Sequence, residues 1–142
     1  MSTTVAQNLS SEIWKKISNG YSKIEKQNMK KMAQYKLTLP QFNVMEVLFN
    51  AGSMPLKKIS NELNVTGANI TCVVDNLEKR DLVVRIPSKT DRRIINANLT
   101  EKGKEIIESI LPEYFDMLDN TTDNLAESEK KELIRLLEKL AA

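Results

Sequence analysis

Along residues 9–36 the apolar side chains return at helical spacing. Leu9, Ile13, Ile17, Tyr21 and Ile24 are followed by Met32 and Tyr35. This predicts one long helix, with Gly20 inside it and no Pro. It is expected to stop within Leu37-Thr38-Leu39-Pro40, because the residue before a proline is pushed out of the helical region. Thr38 then opens a second helix, to about Asn50. Gln41 stands three residues on and completes a capping box, Leu37 and Phe42 can staple the entry, and Pro40 is tolerated in the first turn. Its expected inward side chains are Phe42, Met45, Leu48 and Phe49.

After Ala51-Gly52-Ser53 comes a short helix, Pro55 to Leu63, with Leu56, Ile59 and Leu63 on one face. Asn64-Val65 form a tight turn. Thr66 caps a further helix that reaches Arg80, with Val65 and Ile70 as its staple. The period then changes. Leu82 to Ile86 is β-rich, and Ile95 to Leu99 alternates as a strand does. The polar, basic stretch from Pro87 to Arg93 makes the tip of a hairpin. Thr100 caps another long helix to about Asn120, with Pro112 expected to kink it. Its apolar positions are Ile106, Ile107, Ile110, Tyr114, Phe115 and Leu118. The last amphipathic helix carries Leu133, Leu136, Leu137 and Leu140.

Three short helices and a hairpin between Thr38 and Thr100 form the order of a winged helix-turn-helix. The expected fold class is mainly α with a small β-hairpin wing, together with a helical dimerisation region. Three segments follow: an N-terminal dimerisation helix (1–37), a winged DNA-binding domain (38–100) and C-terminal dimerisation helices (101–142).

At about 100° per residue, Ile70, Val73, Val74 and Leu77 face the core from the second helix of the unit. Ala68, Cys72, Asp75 and Lys79 lie opposite, flanked by Asn69, Thr71 and Asn76. Small residues let a helix sit deep in the major groove, and Asn and Thr read base edges. Thr66 can donate to a phosphate at the helix N-terminus. The hairpin tip adds Lys89, Arg92 and Arg93, with Arg85 at its base; a guanidinium fits phosphate and enters a narrow minor groove. Asp91 would pair with a neighbouring Arg and aim it.

Composition narrows the classes. Histidine is absent and Cys72 is the single cysteine, which removes the commonest general base and the usual zinc donors. No paired acids at catalytic spacing and no glycine-rich phosphate loop stand out, so neither an enzyme nor a metal or other cofactor is expected. No membrane span, secretory signal or intrachain disulfide is expected either, and the cytoplasm is the expected location. Charge is uneven. Residues 1–37 hold seven Lys and two acids, net +5; residues 38–100 are net +2; residues 101–142 hold six basic and eleven acidic side chains, net −5. Oppositely charged terminal helices with long apolar stripes point to packing between two chains. Two symmetric recognition helices would then stand about 34 Å apart, one DNA turn.

Several stretches together resemble the MarR family of transcriptional regulators. These are Leu39 to Val44, Ile59 to Val65, Val73 to Val83, Asp91-Arg92-Arg93 and Leu99-Thr100-Glu101-Lys102-Gly103. The resemblance implies a homodimer that binds a palindromic operator on double-stranded DNA, usually as a repressor. It implies that Asp91 positions Arg93 for the minor groove, and that a small aromatic or phenolic effector, or an oxidant, releases the DNA. Trp14, Tyr21, Phe42 and Met45 are candidates to line an effector pocket. Two other readings stay open: a winged-helix protein-interaction module without DNA binding, and a thiol-based redox-responsive repressor using Cys72.

Overall fold

The computed structural model describes residues 8–142. The elements run α1 (Leu9–Ala33), α2 (Leu39–Ala51), β1 (Met54–Pro55), α3 (Leu56–Leu63), α4 (Gly67–Lys79), β2 (Val83–Pro87), β3 (Ile95–Leu99), α5 (Glu101–Thr121) and α6 (Glu127–Ala141). This is the winged helix-turn-helix order, mainly α with a small sheet. The chain divides into two compact units, one spanning Met29–Tyr114 and one made of the chain up to Asn28 together with Phe115–Ala142.

The Met29–Tyr114 unit holds the winged domain and its core. Phe42, Val44, Met45 and Leu48 of α2 meet Ile59 of α3 and Ile70, Val74 and Leu77 of α4 there. Val83, Ala97 and Leu99 close it from the sheet, Leu82 from the turn before β2, and Ile107 and Ile110 from α5. Phe42 packs against Tyr114 with ring centroids 4.9 Å apart and tilted by 57°, a favoured aromatic arrangement. Val44 takes the inward place expected of Phe49, which lies at the surface.

The helix starts follow the sequence. The Thr38 side chain accepts from the Gln41 N–H (3.2 Å) while the Gln41 side chain accepts from the Thr38 N–H (3.0 Å). Thr66 and Thr100 cap α4 and α5 through the N–H groups of Asn69 and Gly103. The helix stops fall within a residue of expectation for α2, α3 and α4, and earlier than expected for α1. α1 ends at Ala33, before the Pro40 constraint is reached. Lys36 takes a left-handed conformation (φ 57°), and the next N–H, of Leu37, reaches back to the Met32 carbonyl. Asn64 (φ 54°) and Asp81 (φ 59°) do the same after α3 and α4, with Val65 bonded to Ser60 and Leu82 to Leu77. In each case an apolar residue follows the left-handed one, the pattern of a Schellman-type stop. The expected Val65–Ile70 staple is loose, since Val65 stays exposed.

The wing is three-stranded, in the order β1-β3-β2 and antiparallel throughout. β1 was not expected. Met54 pairs with Ala97 and Pro55 with Asn96, so Pro55 ends a strand and α3 begins at Leu56.

The second unit consists of the first part of α1, the end of α5 and α6. None of its described residues is buried. Leu9, Ile13 and Ile17 of α1 line an apolar groove of about 670 Å³ with Leu133, Leu136, Leu137 and Leu140 of α6. Thr121 donates to Gln27 within this unit at 2.7 Å. No helix among the described residues is long and apolar enough to cross a membrane.

Gly103 stands in the first turn of α5, just after the chain leaves the sheet. A Cβ there would stand 2.2 Å from the backbone oxygen of Leu82. Backbone cannot swing aside as a flexible side chain can, so Gly103→Ala should destabilise the winged unit by about 1–3 kcal/mol. Denaturant unfolding should show a lower midpoint with an unchanged slope.

Candidate nucleic-acid interface

α4 has two faces because its apolar residues fall at i, i+3, i+4 and i+7. Ile70, Val73, Val74 and Leu77 are buried; Thr66, Ala68, Asn69, Thr71, Cys72, Asn76 and Lys79 are exposed. The outward set expected from the helix count therefore lies together on one exposed surface. Its polar groups differ in what they can offer. The Thr66 hydroxyl accepts from the Asn69 N–H and keeps its own proton to donate. The Thr71 hydroxyl bonds back to the Gly67 carbonyl at 3.0 Å, so its proton is already engaged. The Asn76 amide lies 4.0 Å from Cys72 Sγ, a weak contact that leaves the amide oxygen open. Gly67 and Ala68 keep the first turn bare.

The wing tip is built by short polar bonds. The Ser88 hydroxyl accepts from the N–H groups of Thr90 and Asp91 and folds the turn. Asp91 Oδ1 accepts from the Arg93 N–H (3.0 Å) and from Nε (3.2 Å), and Oδ2 accepts from Nη2 (3.2 Å). The paired guanidinium is still 91% exposed while Asp91 is 33% exposed. The carboxylate thus sets the direction of a cation that otherwise meets only solvent. Arg93's side-chain and backbone bonds hold the Asp91 carboxyl below the usual aspartate range. Lys89 and Arg92 are exposed beside it.

Arg85 departs from expectation. Its guanidinium is bonded to Asp75 (2.7 Å) and Glu78 (2.6 Å) of α4, so it is not held out for phosphate. Burial disfavours its charge, but the hydrogen bonds and charges of the two carboxylates outweigh this and raise its pKa above the ordinary arginine value. Sequence reasoning missed this contact. The available signal was two acids one turn apart on the helix, followed seven residues after Glu78 by a strand arginine.

The candidate pocket residues divide between the units. Phe42 and Met45 are fully buried in the core of the winged unit. Trp14 and Tyr21 lie on the helical unit, 68% and 65% exposed.

Comparison with known proteins places this geometry. A MarR family profile matches residues 37–95, from the start of α2 into β3. The chain is 32% identical over 124 residues to the HTH-type transcriptional regulator MhqR of Bacillus subtilis, covering 87% of this chain and 86% of that protein. The chain belongs to the MarR family. The MarR fold recurs in AbsC, a MarR family transcriptional regulator from Streptomyces coelicolor (TM-score 0.88, 20% identity, 98% of this chain and 96% of that one). It recurs also in a mutant of MarR from E. coli complexed with operator DNA (TM-score 0.85, 24% identity, 96% of this chain and 100% of that one).

The Asp91–Arg93 pair gives a direct test. A carboxylate with a lowered pKa contributes order that is present above its unperturbed pKa and lost as pH falls through the lowered one. The ¹³C carboxyl shift of Asp91 should therefore titrate below the usual aspartate midpoint. Arg93→Ala should return the midpoint towards the usual value; an unmoved midpoint would mean the pair is not formed in solution.

Proposed function

We propose that this MarR-family chain is a DNA-binding transcriptional regulator that represses as a homodimer on a palindromic operator. Residues 38–100 would contact DNA, and residues 1–37 and 101–142 would supply the dimer. The observation that carries the reading is the wing tip: an exposed arginine, oriented by its own aspartate, on the same compact unit as a bare, polar recognition face. In this reading α4 enters the major groove, with Asn69 and Asn76 reading bases and Thr66 and Lys79 on phosphate. Arg93 enters the minor groove, with Lys89 and Arg92 on the adjoining backbone. That a MarR mutant from E. coli of the same fold is complexed with operator DNA supports DNA as the ligand.

The helical unit supports the homodimer. Its apolar groove leaves six leucine and isoleucine side chains exposed in the single chain. A second copy would bury them and set the basic segment 1–37 (net +5) against the acidic segment 101–142 (net −5). Release by a small aromatic or phenolic effector is the regulation expected of the family. The proposed role is binding, without catalysis, and the proposed compartment is the cytoplasm, where the operator lies.

Fluorescence anisotropy against the chain's own upstream DNA tests the reading. Binding should resist unrelated competitor and weaken steeply with salt. Arg93→Ala should weaken binding to every duplex and reduce the salt slope by about one unit. Asn69→Ala or Asn76→Ala should relax sequence preference, by roughly 1–3 kcal/mol where a bidentate base contact is lost. Equal loss on all sequences would remove those residues from base reading. In sedimentation, Leu136→Glu should shift the protein to monomer and weaken operator binding with it.

A further inference from the structure

The recognition face carries an acid where an acid should not be. Asp75 stands on the exposed side of α4, beside Cys72 and Asn76, and an unpaired carboxylate there would repel phosphate. Its charge is taken up by Arg85 of β2. The Arg85 fork reaches Asp75 Oδ1 (2.7 Å), Glu78 Oε1 (2.6 Å) and the Thr71 carbonyl (3.3 Å), and its backbone N–H donates to Glu78 Oε2 (3.2 Å). One residue thus spans two turns of the helix by side chain and main chain together. The Arg85 side chain is 21% exposed and its partners Asp75 and Glu78 are 50% and 36% exposed, so the network is partly shielded from solvent screening. Arg85 also pairs with Ala97 in the hairpin whose tip holds Asp91 and Arg93.

We infer that Arg85 is a positioning residue, a clasp that fixes the wing to the recognition helix. Through it the α4 side chains and Arg93 reach DNA in one fixed register. The inference rests on the DNA-binding reading above and extends it to a residue that touches no DNA. A planar, forked cation is required, because a lysine ammonium cannot serve two carboxylates and a carbonyl in a fixed plane. The two acids are required for the same reason, and their presence on a DNA-facing helix is then explained.

The test uses the full chain with Asp75→Asn, Arg85→Lys and Arg93→Ala, singly and with each clasp variant combined with Arg93→Ala. Thermal unfolding checks that each variant is folded, and anisotropy reads binding to the upstream duplex. Asp75→Asn removes a negative charge from the DNA-facing side, so simple electrostatics predicts tighter binding to every duplex. The clasp predicts the opposite sign, about tenfold weaker binding to the specific duplex. It also predicts that Arg93→Ala costs markedly less in the Asp75→Asn and Arg85→Lys backgrounds than in the wild type, because the wing is already loose. Tighter binding by Asp75→Asn, or penalties that simply multiply, would overturn the inference. If the wild type binds no duplex in a salt-dependent way, the DNA-binding reading itself fails. Amide exchange then decides the clasp: Asp75→Asn should speed exchange across Val83–Pro87 and the tip while the amides of α4 stay protected, and unchanged exchange would overturn it.

Discussion

Everything in the winged unit depends on α4 burying one face completely while leaving the other bare. Ile70, Val74 and Leu77 are essentially inaccessible, and each such side chain is worth on the order of 2 kcal/mol relative to exposure. That anchorage lets the opposite face carry small and polar residues that contribute little to folding. The surrounding elements serve the same constraint. α2 and α3 supply the surface into which the helix packs, and Leu82 of the following turn and Val83 of the sheet join the same core. Gly103 lets α5 start against the Leu82 carbonyl, closer than any side chain would permit. The left-handed Asp81 turns the chain directly from α4 into β2, so helix and wing are joined with almost no intervening loop.

The two units solve opposite problems. The winged unit closes its own core. The helical unit buries none of its described residues and leaves a leucine-rich groove open to water, the kind of exposed apolar patch that marks an interaction surface. The charge asymmetry of the sequence falls on the terminal segments, with α1 basic, α5 acidic and α6 balanced. The proposed dimer resolves both features at once, and it places two copies of the wing and recognition helix on one ligand, matching the repeat of a palindromic duplex.

Much of this was legible in the sequence, for reasons that can be named. Helical spacing marked the buried face of α4, the Thr38–Gln41 box marked the start of α2, and the Asp91-Arg92-Arg93 tip marked the wing. Each rests on contacts between residues a few positions apart. The stop of α1 was placed too late because its left-handed residue, Lys36, is not glycine; only the apolar Leu37 that follows it gave the motif away. β1 was missed because two residues carry no periodicity, and its pairing with β3 joins chain segments some forty residues apart. The apolar stripes of the terminal helices and the outward α4 face were visible as patterns, but Arg85 was read only as a basic residue at the hairpin's base because its partners lie on another element. A cation's partner is set by the tertiary fold, and the strand pattern alone said only that Arg85 was there.

The measurement that bears most directly on the central claim is hydroxyl-radical footprinting of the full chain on its upstream duplex. If α4 and the wing act as one rigid unit used twice, protection should appear in two equivalent patches centred about one helical turn apart, each flanked by a protected minor groove. Arg93→Ala should erase the flanking protection and leave the centres. A single patch, or diffuse protection with no spacing, would contradict the account.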